Sequence, residues 1–267
     1  MSSLILLIDI GNTRAKWSVI DAAVNSQLDA THGALGHSES PLSLHGMSHL
    51  EPVIRLKDSI AEVILCSVAP SSIEHVWQQW LVKNFAHAEI SIFDSSHEFA
   101  SISNHYRAPH DLGNDRWAAI IGGSQIAPEG NYLVVNSGTA TTIDFVNHEL
   151  HFEGGWIIPG FNLMLQALGS KTALLPNLST QVVYTSNEKI FGNTTESAIL
   201  QGVLFAQLGA IHFALNQYPE IKYLIISGGN AGLIHQNLKQ TLTDNCLLIH
   251  DPYIVFRGLQ LWRGQRV

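Results

Sequence analysis

Two stretches decide the fold: Leu7-Ile8-Asp9-Ile10-Gly11-Asn12-Thr13 and Val134-Val135-Asn136-Ser137-Gly138-Thr139-Ala140. Each runs an apolar strand into Asp or Asn, then one residue, a glycine and small polar residues that open a second strand. The glycines, Gly11 and Gly138, stand about half a chain apart in a sequence of 267 residues. Such a repeat predicts an internally duplicated protein. A strand ending in Asp-x-Gly suits nucleotide chemistry, because the glycine lets backbone N–H groups approach a phosphate and the carboxylate holds Mg²⁺ or its water. The same turn also closes ordinary hairpins. The second copy favours phosphate binding, since two facing turns can clamp a triphosphate between two domains.

Outward from these turns, residues 4–9 read as a buried strand, and Ala15, Trp17 and Val19 alternate with Lys16 and Ser18 as a half-buried strand does. Residues 25–50 are polar and weakly patterned, which predicts loops and short edge strands. Residues 62–68 and 88–93 read as strands around a helix through Trp77, Trp80 and Leu81, with Ser71, Ser72 and Glu74 as its capping signal. After an irregular stretch, residues 114–126 read as a helix, and 132–136 and 141–146 as strands followed by one ending near Trp156. Helices are expected at 159–168, with Pro159 in the first turn, and at 195–215, 233–242 and 253–262. Strands are expected at 221–227 and 246–250. Strands alternating with helices imply an α/β layer architecture with mixed sheets flanked by helices.

With 46% hydrophobic and 13% charged residues, the chain has material for a large core. Its 22 acidic against 14 basic residues, a net charge of −8, disfavour a nucleic-acid partner, which calls for clustered Lys and Arg. Nucleotide binding stays open, because backbone amides and a divalent cation can hold phosphate. Cys66 and Cys246 are isolated and form no CxxC pair, so a reduced, cytoplasmic protein is expected. The apolar run at residues 4–8 is too short to span a bilayer, and no membrane partner is expected. The 14 histidines include no HExxH, and His45 and His49 sit in a polar stretch, so these side chains read as surface or capping residues rather than metal ligands.

Five motifs in order carry a resemblance. Asp9-Ile10-Gly11-Asn12-Thr13, Gly113-Asn114-Asp115-Arg116, Ser137-Gly138-Thr139-Ala140-Thr141-Thr142, Gly154-Gly155-Trp156-Ile157-Ile158-Pro159-Gly160 and Gly228-Gly229-Asn230-Ala231 resemble the motif series of type III pantothenate kinases, of the actin and sugar-kinase superfamily. The resemblance implies duplicated actin-like (ribonuclease H-like) domains, about 1–115 and 116–267, with a cleft between them. It further implies ATP and pantothenate as substrates, Mg²⁺ with the ATP, and a homodimer. Asp9, Ile10, Gly11, Asn12, Thr13, Arg14, Ala15 and Lys16 would form the first phosphate loop, with Asp9 near Mg²⁺. Thr139 would belong to the second loop, and Gly228-Gly229 would lie near the adenosine.

By the same resemblance Tyr106, Gly113, Asn114, Asp115 and Arg116 would bind pantothenate, joined by Thr195 from the neighbouring subunit. Asp115 would be the catalytic base. A carboxylate there can orient a primary alcohol and accept its proton, although an acidic residue in a helix's first turn also serves the macrodipole alone. Arg116 offers a planar fork suited to a carboxylate, and surface pairing is its plain alternative. Thr195 could equally be an N-cap, and the helix start leaves Thr194 or Thr195 for that place. The family's Asp for a monovalent cation, K⁺ or NH₄⁺, is replaced here by Asn136, which predicts a weak or absent cation site. Two rival functions remain open: a non-catalytic regulatory relative of the transcription accessory type, and another small-molecule kinase of the superfamily.

Overall fold

A computed structural model describes residues 3–23, 31–99, 101–171, 190–242 and 245–266. The chain divides into two compact units, Met1–Gln125 with Tyr253–Val267 and Ile126–Pro252. In the first unit, β1 (Leu4–Ile10), β2 (Arg14–Asp21), β3 (Thr31–Gly36), β4 (Ile60–Ser67) and β5 (Glu89–Phe93) form a sheet in the order β3-β2-β1-β4-β5. β1 is antiparallel to β2 and parallel to β4. As the central strand it is covered on both faces, which is why residues 5–8 form an unbroken apolar run. Around this sheet lie α1 (Leu44–Arg55), α2 (Ser71–Phe85) and α3 (Asn114–Ile126); the two-residue β6 (Ser103–Asn104), which precedes α3 in the chain, is not one of its strands. Trp17, Leu50, Val53, Trp77 and Trp80 pack with the β1 side chains in one core.

In the second unit, β7 (Tyr132–Ser137), β8 (Ala140–Val146), β9 (His151–Pro159), β10 (Tyr223–Ser227) and β11 (Leu247–His250) run in the order β9-β8-β7-β10-β11. β7 is antiparallel to β8 and parallel to β10. The two sheets therefore share one topology, and β7 holds the place of β1, as the sequence repeat predicts. Helices α4 (Phe161–Lys171), α5 (Thr195–Gln217) and α6 (Ala231–Leu238) complete the unit, with Leu204, Leu208 and Ile211 of α5 packed against Leu133, Val135 and Ile143. By length and composition α5 could cross a membrane, with a mean hydropathy of 1.7, but half of that window is buried within the protein.

Four local readings differ from the expectation. Residues 25–50 contain the start of a helix as well as the edge strand β3; residues 24–30 lie outside the described residues. Helix α1 hid in the sequence because its buried stripe is only Gly46, Leu50 and Val53, and because Pro52, a residue that ordinarily signals a helix end, lies inside it. Its N-cap is Ser43, whose Oγ accepts the Gly46 N–H at 3.0 Å. In α2 the N-cap is Pro70 and no side chain caps the helix, so Ser71 is already its first residue. Pro159 ends β9, paired with Ala140, and α4 starts two residues later. Helix α6 runs from Ala231 to Leu238, earlier than residues 233–242.

The last helix, α7 (Ile254–Arg266), belongs to the first unit, whereas the expected division at 115/116 placed it in the second. Two glycines explain this. A Cβ on Gly122 of α3 would collide with the Ile254 carbonyl oxygen, and one on Gly258 of α7 with the Ala118 carbonyl oxygen. The helix backbones touch at these positions, and Phe93 meets Trp262 edge to face at 5.2 Å between ring centroids.

Candidate active site

In the first unit, β1 ends at Asp9 and Ile10, and the chain turns through Gly11, Asn12 and Thr13 into β2. The turn closes with the Gly11 N–H donating to the Arg14 carbonyl at 3.1 Å. His37, two residues before Glu39, also braces it. Its Nε2 lies 2.6 Å from the Gly11 carbonyl oxygen, and its N–H donates to the Thr13 carbonyl. Sequence reading missed this residue, because nothing local marks a histidine after an edge strand as a brace for a turn that precedes it by more than 20 residues.

Asp9 is 7% exposed, and its Oδ1 has no hydrogen-bond partner. Lys16 stands opposite it in the β1–β2 register and Cys66 beside it in the β1–β4 register. Burial raises the Asp9 carboxyl to about 6, with the Lys16 charge opposing the rise and Asp115 adding to it. A buried carboxylate oxygen with no donor is costly unless something arrives to satisfy it. A divalent cation or its water fits that atom. Burial and the two neighbouring carboxylates also push the Cys66 thiol up, which leaves it a small buried apolar side chain.

Helix α3 brings the second group of residues into the same unit. Asn114 fixes the helix start by bridging two segments: its Oδ1 accepts the Ser95 N–H at 2.9 Å and its Nδ2 donates to the Ser67 carbonyl, at the end of β4, at 3.0 Å. The Asn114 side chain is therefore a positioning element for the residues after it. Asp115 follows, half-buried, its Oδ1 accepting the Arg116 N–H at 2.8 Å. Burial raises the Asp115 carboxyl above its ordinary range, and the Arg116 amide and charge and the Lys16 charge pull against it. Arg116 is buried, with its guanidinium carbon 5.8 Å from the centroid of the Tyr106 ring. Tyr106, Asp115 and Arg116 thus form one cluster, and the Lys16 charge acts on both Asp115 and Asp9.

In the second unit the corresponding turn is closed by the Gly138 N–H donating to the Ala140 carbonyl at 2.9 Å. Thr139 lies in it, half-buried. Gly160 lies under this turn: its N–H donates to the Thr139 carbonyl at 2.9 Å, and a Cβ there would strike the Gly138 and Thr139 carbonyls. Gly228, at φ +96°, lies against Ser137 and Asn136, and the Asn230 N–H donates to the Ser137 carbonyl at 3.1 Å. The Gly228-Gly229 and Pro159-Gly160 motifs therefore both buttress the second turn. Thr194, not Thr195, is the N-cap of α5, in a reciprocal capping box with Ser197 at 3.1 Å. The Thr195 side chain is exposed and takes no part in the cap.

Comparison with known proteins places this geometry in a family. The type III pantothenate kinase family profile matches residues 5–217. The chain is 34% identical over 257 residues to the type III pantothenate kinase of Herminiimonas arsenicoxydans, covering 92% of this chain and 95% of that one. It is 33% identical over 258 residues to that of Janthinobacterium sp. (strain Marseille), with the same coverage. Among solved structures, the activator of 2-hydroxyisocaproyl-CoA dehydratase from Clostridium difficile with bound ADPNP aligns with a TM-score of 0.55 at 11% identity, over 100% of this chain and 95% of that one. A protein described as a conserved Baf family transcriptional activator from Campylobacter jejuni aligns with a TM-score of 0.58 at 21% identity, over 98% and 100%. These structural likenesses establish the actin-like fold of the two mixed sheets; with the profile and the sequence identities, they make this chain a member of the type III pantothenate kinase family.

Proposed function

We propose that this chain transfers the γ-phosphoryl group of ATP to the primary hydroxyl of pantothenate, the first step towards coenzyme A. The observation that carries the reading is the paired carboxylates of the first unit: Asp9 buried with an orphaned oxygen, and Asp115 raised by burial at the head of α3. The pantothenate oxygen forms its bond to the γ-phosphorus as the bond to the β,γ-bridging oxygen breaks, and Asp115 accepts the hydroxyl proton. A carboxyl held above its ordinary range is a stronger base once ionised, which suits this transfer. Mg²⁺, when bound with the nucleotide, neutralises charge on the phosphate oxygens, and Asp9 would hold it or its water. In the first unit the turn after β1 and the Lys16 ammonium bind phosphate, with Ile10, Gly11, Asn12, Thr13, Arg14 and Ala15 shaping that turn; in the second unit the equivalent turn, Gly138 with Thr139, is built the same way and is a phosphate binder by the same logic.

Arg116 and Tyr106 hold the pantothenate carboxylate end, with the planar guanidinium lying over the ring. The working unit is a cytoplasmic homodimer, with the exposed Thr195 reaching the partner's substrate. An apolar face on the second unit supports this reading: Trp156 and Ile157 of β9 and Phe205 and Phe213 of α5 are exposed, with the Trp156 and Phe213 rings 5.8 Å apart. The curated relatives carry the kinase name, which favours the enzyme over a regulatory relative. A coupled ADP-release assay with Mg·ATP and a panel of hydroxyl acceptors tests the function. Turnover with pantothenate and not with sugars is expected; turnover with a sugar alone would overturn it.

A further inference from the structure

Outside the kinase site, Glu39, His45 and His49 bring three ligand atoms of the first unit within 4.8 Å of one another. His45 and His49 are four residues apart on α1, so both imidazoles project from one face of the helix. The Glu39 carboxylate reaches both, with Oε1 3.1 Å from His45 Nε2 and Oε2 3.6 Å from His49 Nε2. The two rings meet edge to face at 5.0 Å between centroids. From this the geometry points to a binding site for a divalent transition-metal ion of the zinc type, held by Glu39, His45 and His49 and distinct from the Mg²⁺–nucleotide site.

The spacing is close to what such an ion needs. Ligand nitrogens and oxygens about 2.0–2.2 Å from zinc stand roughly 3.3 Å from each other in a tetrahedron, and the two His–Glu separations of 3.1 and 3.6 Å bracket that value. Two imidazoles and one carboxylate select zinc, nickel or copper over Mg²⁺, which prefers oxygen ligands. Three protein ligands with exposed rings leave a fourth position for water.

The site is also fixed before any ion arrives. The Glu39 N–H donates to the Gly36 carbonyl at 3.0 Å, Ser43 N–H to the Ser40 carbonyl at 2.9 Å, and Leu42 N–H to Ser40 Oγ at 3.2 Å. The loop then lies directly on the helix at Gly46, where a Cβ would collide with the Ser40 carbonyl oxygen. Only glycine at that place lets Glu39 come down over His45 and His49. An ion there would tie the β3–α1 loop to α1, and the same loop carries His37, which braces the Gly11 turn.

Calorimetric titration of the full-length protein with ZnCl₂, in excess Mg²⁺, tests the site. The wild type is expected to take up one equivalent more than His45→Ala, His49→Ala or Glu39→Ala, while His75→Ala, an exposed histidine elsewhere, keeps it. At a hundredfold excess of zinc over Kd the wild-type melting temperature should rise by about 5 °C and those of the three variants by less. Comparable melting temperatures of all the proteins without zinc would show that the variants fold. Should an alanine variant fail to fold, the conservative Glu39→Gln and His49→Gln are titrated instead. Equal zinc stoichiometry in the wild type and every folded ligand variant would reduce the cluster to surface hydrogen bonds and overturn the proposal.

Discussion

Lys16 stands directly across the antiparallel β1–β2 pair from Asp9, so ammonium and carboxylate share one face of the sheet. The pairing explains how a nearly buried Asp is kept usable: burial raises its carboxyl to about 6, and the Lys16 charge is the largest influence against a further rise.

A pH dependence follows from that value. Below about pH 4 Asp9 is protonated in both the folded and unfolded chain and contributes no difference. Between about pH 4 and 6 the folded chain keeps a proton that the unfolded chain has lost, so this group's contribution to stability falls as pH rises, and it stays at its lowest above 6. Asp9→Asn should therefore match the wild type near pH 4 and exceed it at pH 8, by up to about 3 kcal/mol, while losing turnover. Denaturant melts at the two pH values check this; a variant less stable than the wild type at pH 8 would refute the assigned burial cost.

Asp115→Asn should leave the fold intact, because the Arg116 N–H can still donate to the side-chain carbonyl that replaces Oδ1. Turnover should drop by roughly 10²- to 10⁴-fold with the loss of the proton acceptor. Near-wild-type kcat in steady-state assays would remove Asp115 from the mechanism.

At Arg116 the charge alone should not suffice. Arg116→Lys keeps the cation but loses the planar fork that lies over Tyr106. The expected result is a KM for pantothenate raised about 10-fold or more with little change for ATP; equal changes in both would indicate damage to the fold of α3 instead.

Asn136 offers a neutral carbonyl oxygen where the resemblance implies a carboxylate, and that oxygen lies close to Gly228, 2.7 Å from where a Cβ would stand. Lacking the charge that offsets dehydration of an ion, the position should bind K⁺ or NH₄⁺ weakly. Activity should depend only shallowly on K⁺ at constant ionic strength, and Asn136→Asp should steepen the curve. An absolute requirement saturating at low millimolar K⁺ in the wild type would contradict this.

The contribution of Thr195 across a dimer can be read by complementation. Asp115→Asn and Thr195→Ala proteins, each impaired alone, should regain activity when mixed and allowed to exchange subunits, since one of the two sites in a mixed dimer then has both residues intact. No gain on mixing, with exchange confirmed by light scattering of tagged chains, would place Thr195 in its own subunit's site or in none.

The sequence by itself determined the two strand–turn–strand units, because an apolar strand broken by Asp-x-Gly or Asn-x-Gly is a local pattern whose periodicity needs no distant partner. It likewise determined that Asp9 and Asp115 are acids at a strand end and a helix start, and that Asn136 is not one. Only the tertiary structure decided what depends on residues far apart in the chain. The reciprocal contacts of Gly122 with Ile254 and Gly258 with Ala118 return α7 to the first unit, though the helix itself was legible from its apolar positions. His37 reaches Gly11, and Gly46 admits the loop that lays Glu39 over His45 and His49. Close backbone approaches of this kind leave no periodic signal: a glycine in a sequence says that a Cβ is absent, and only the folded chain says which carbonyl oxygen occupies its place.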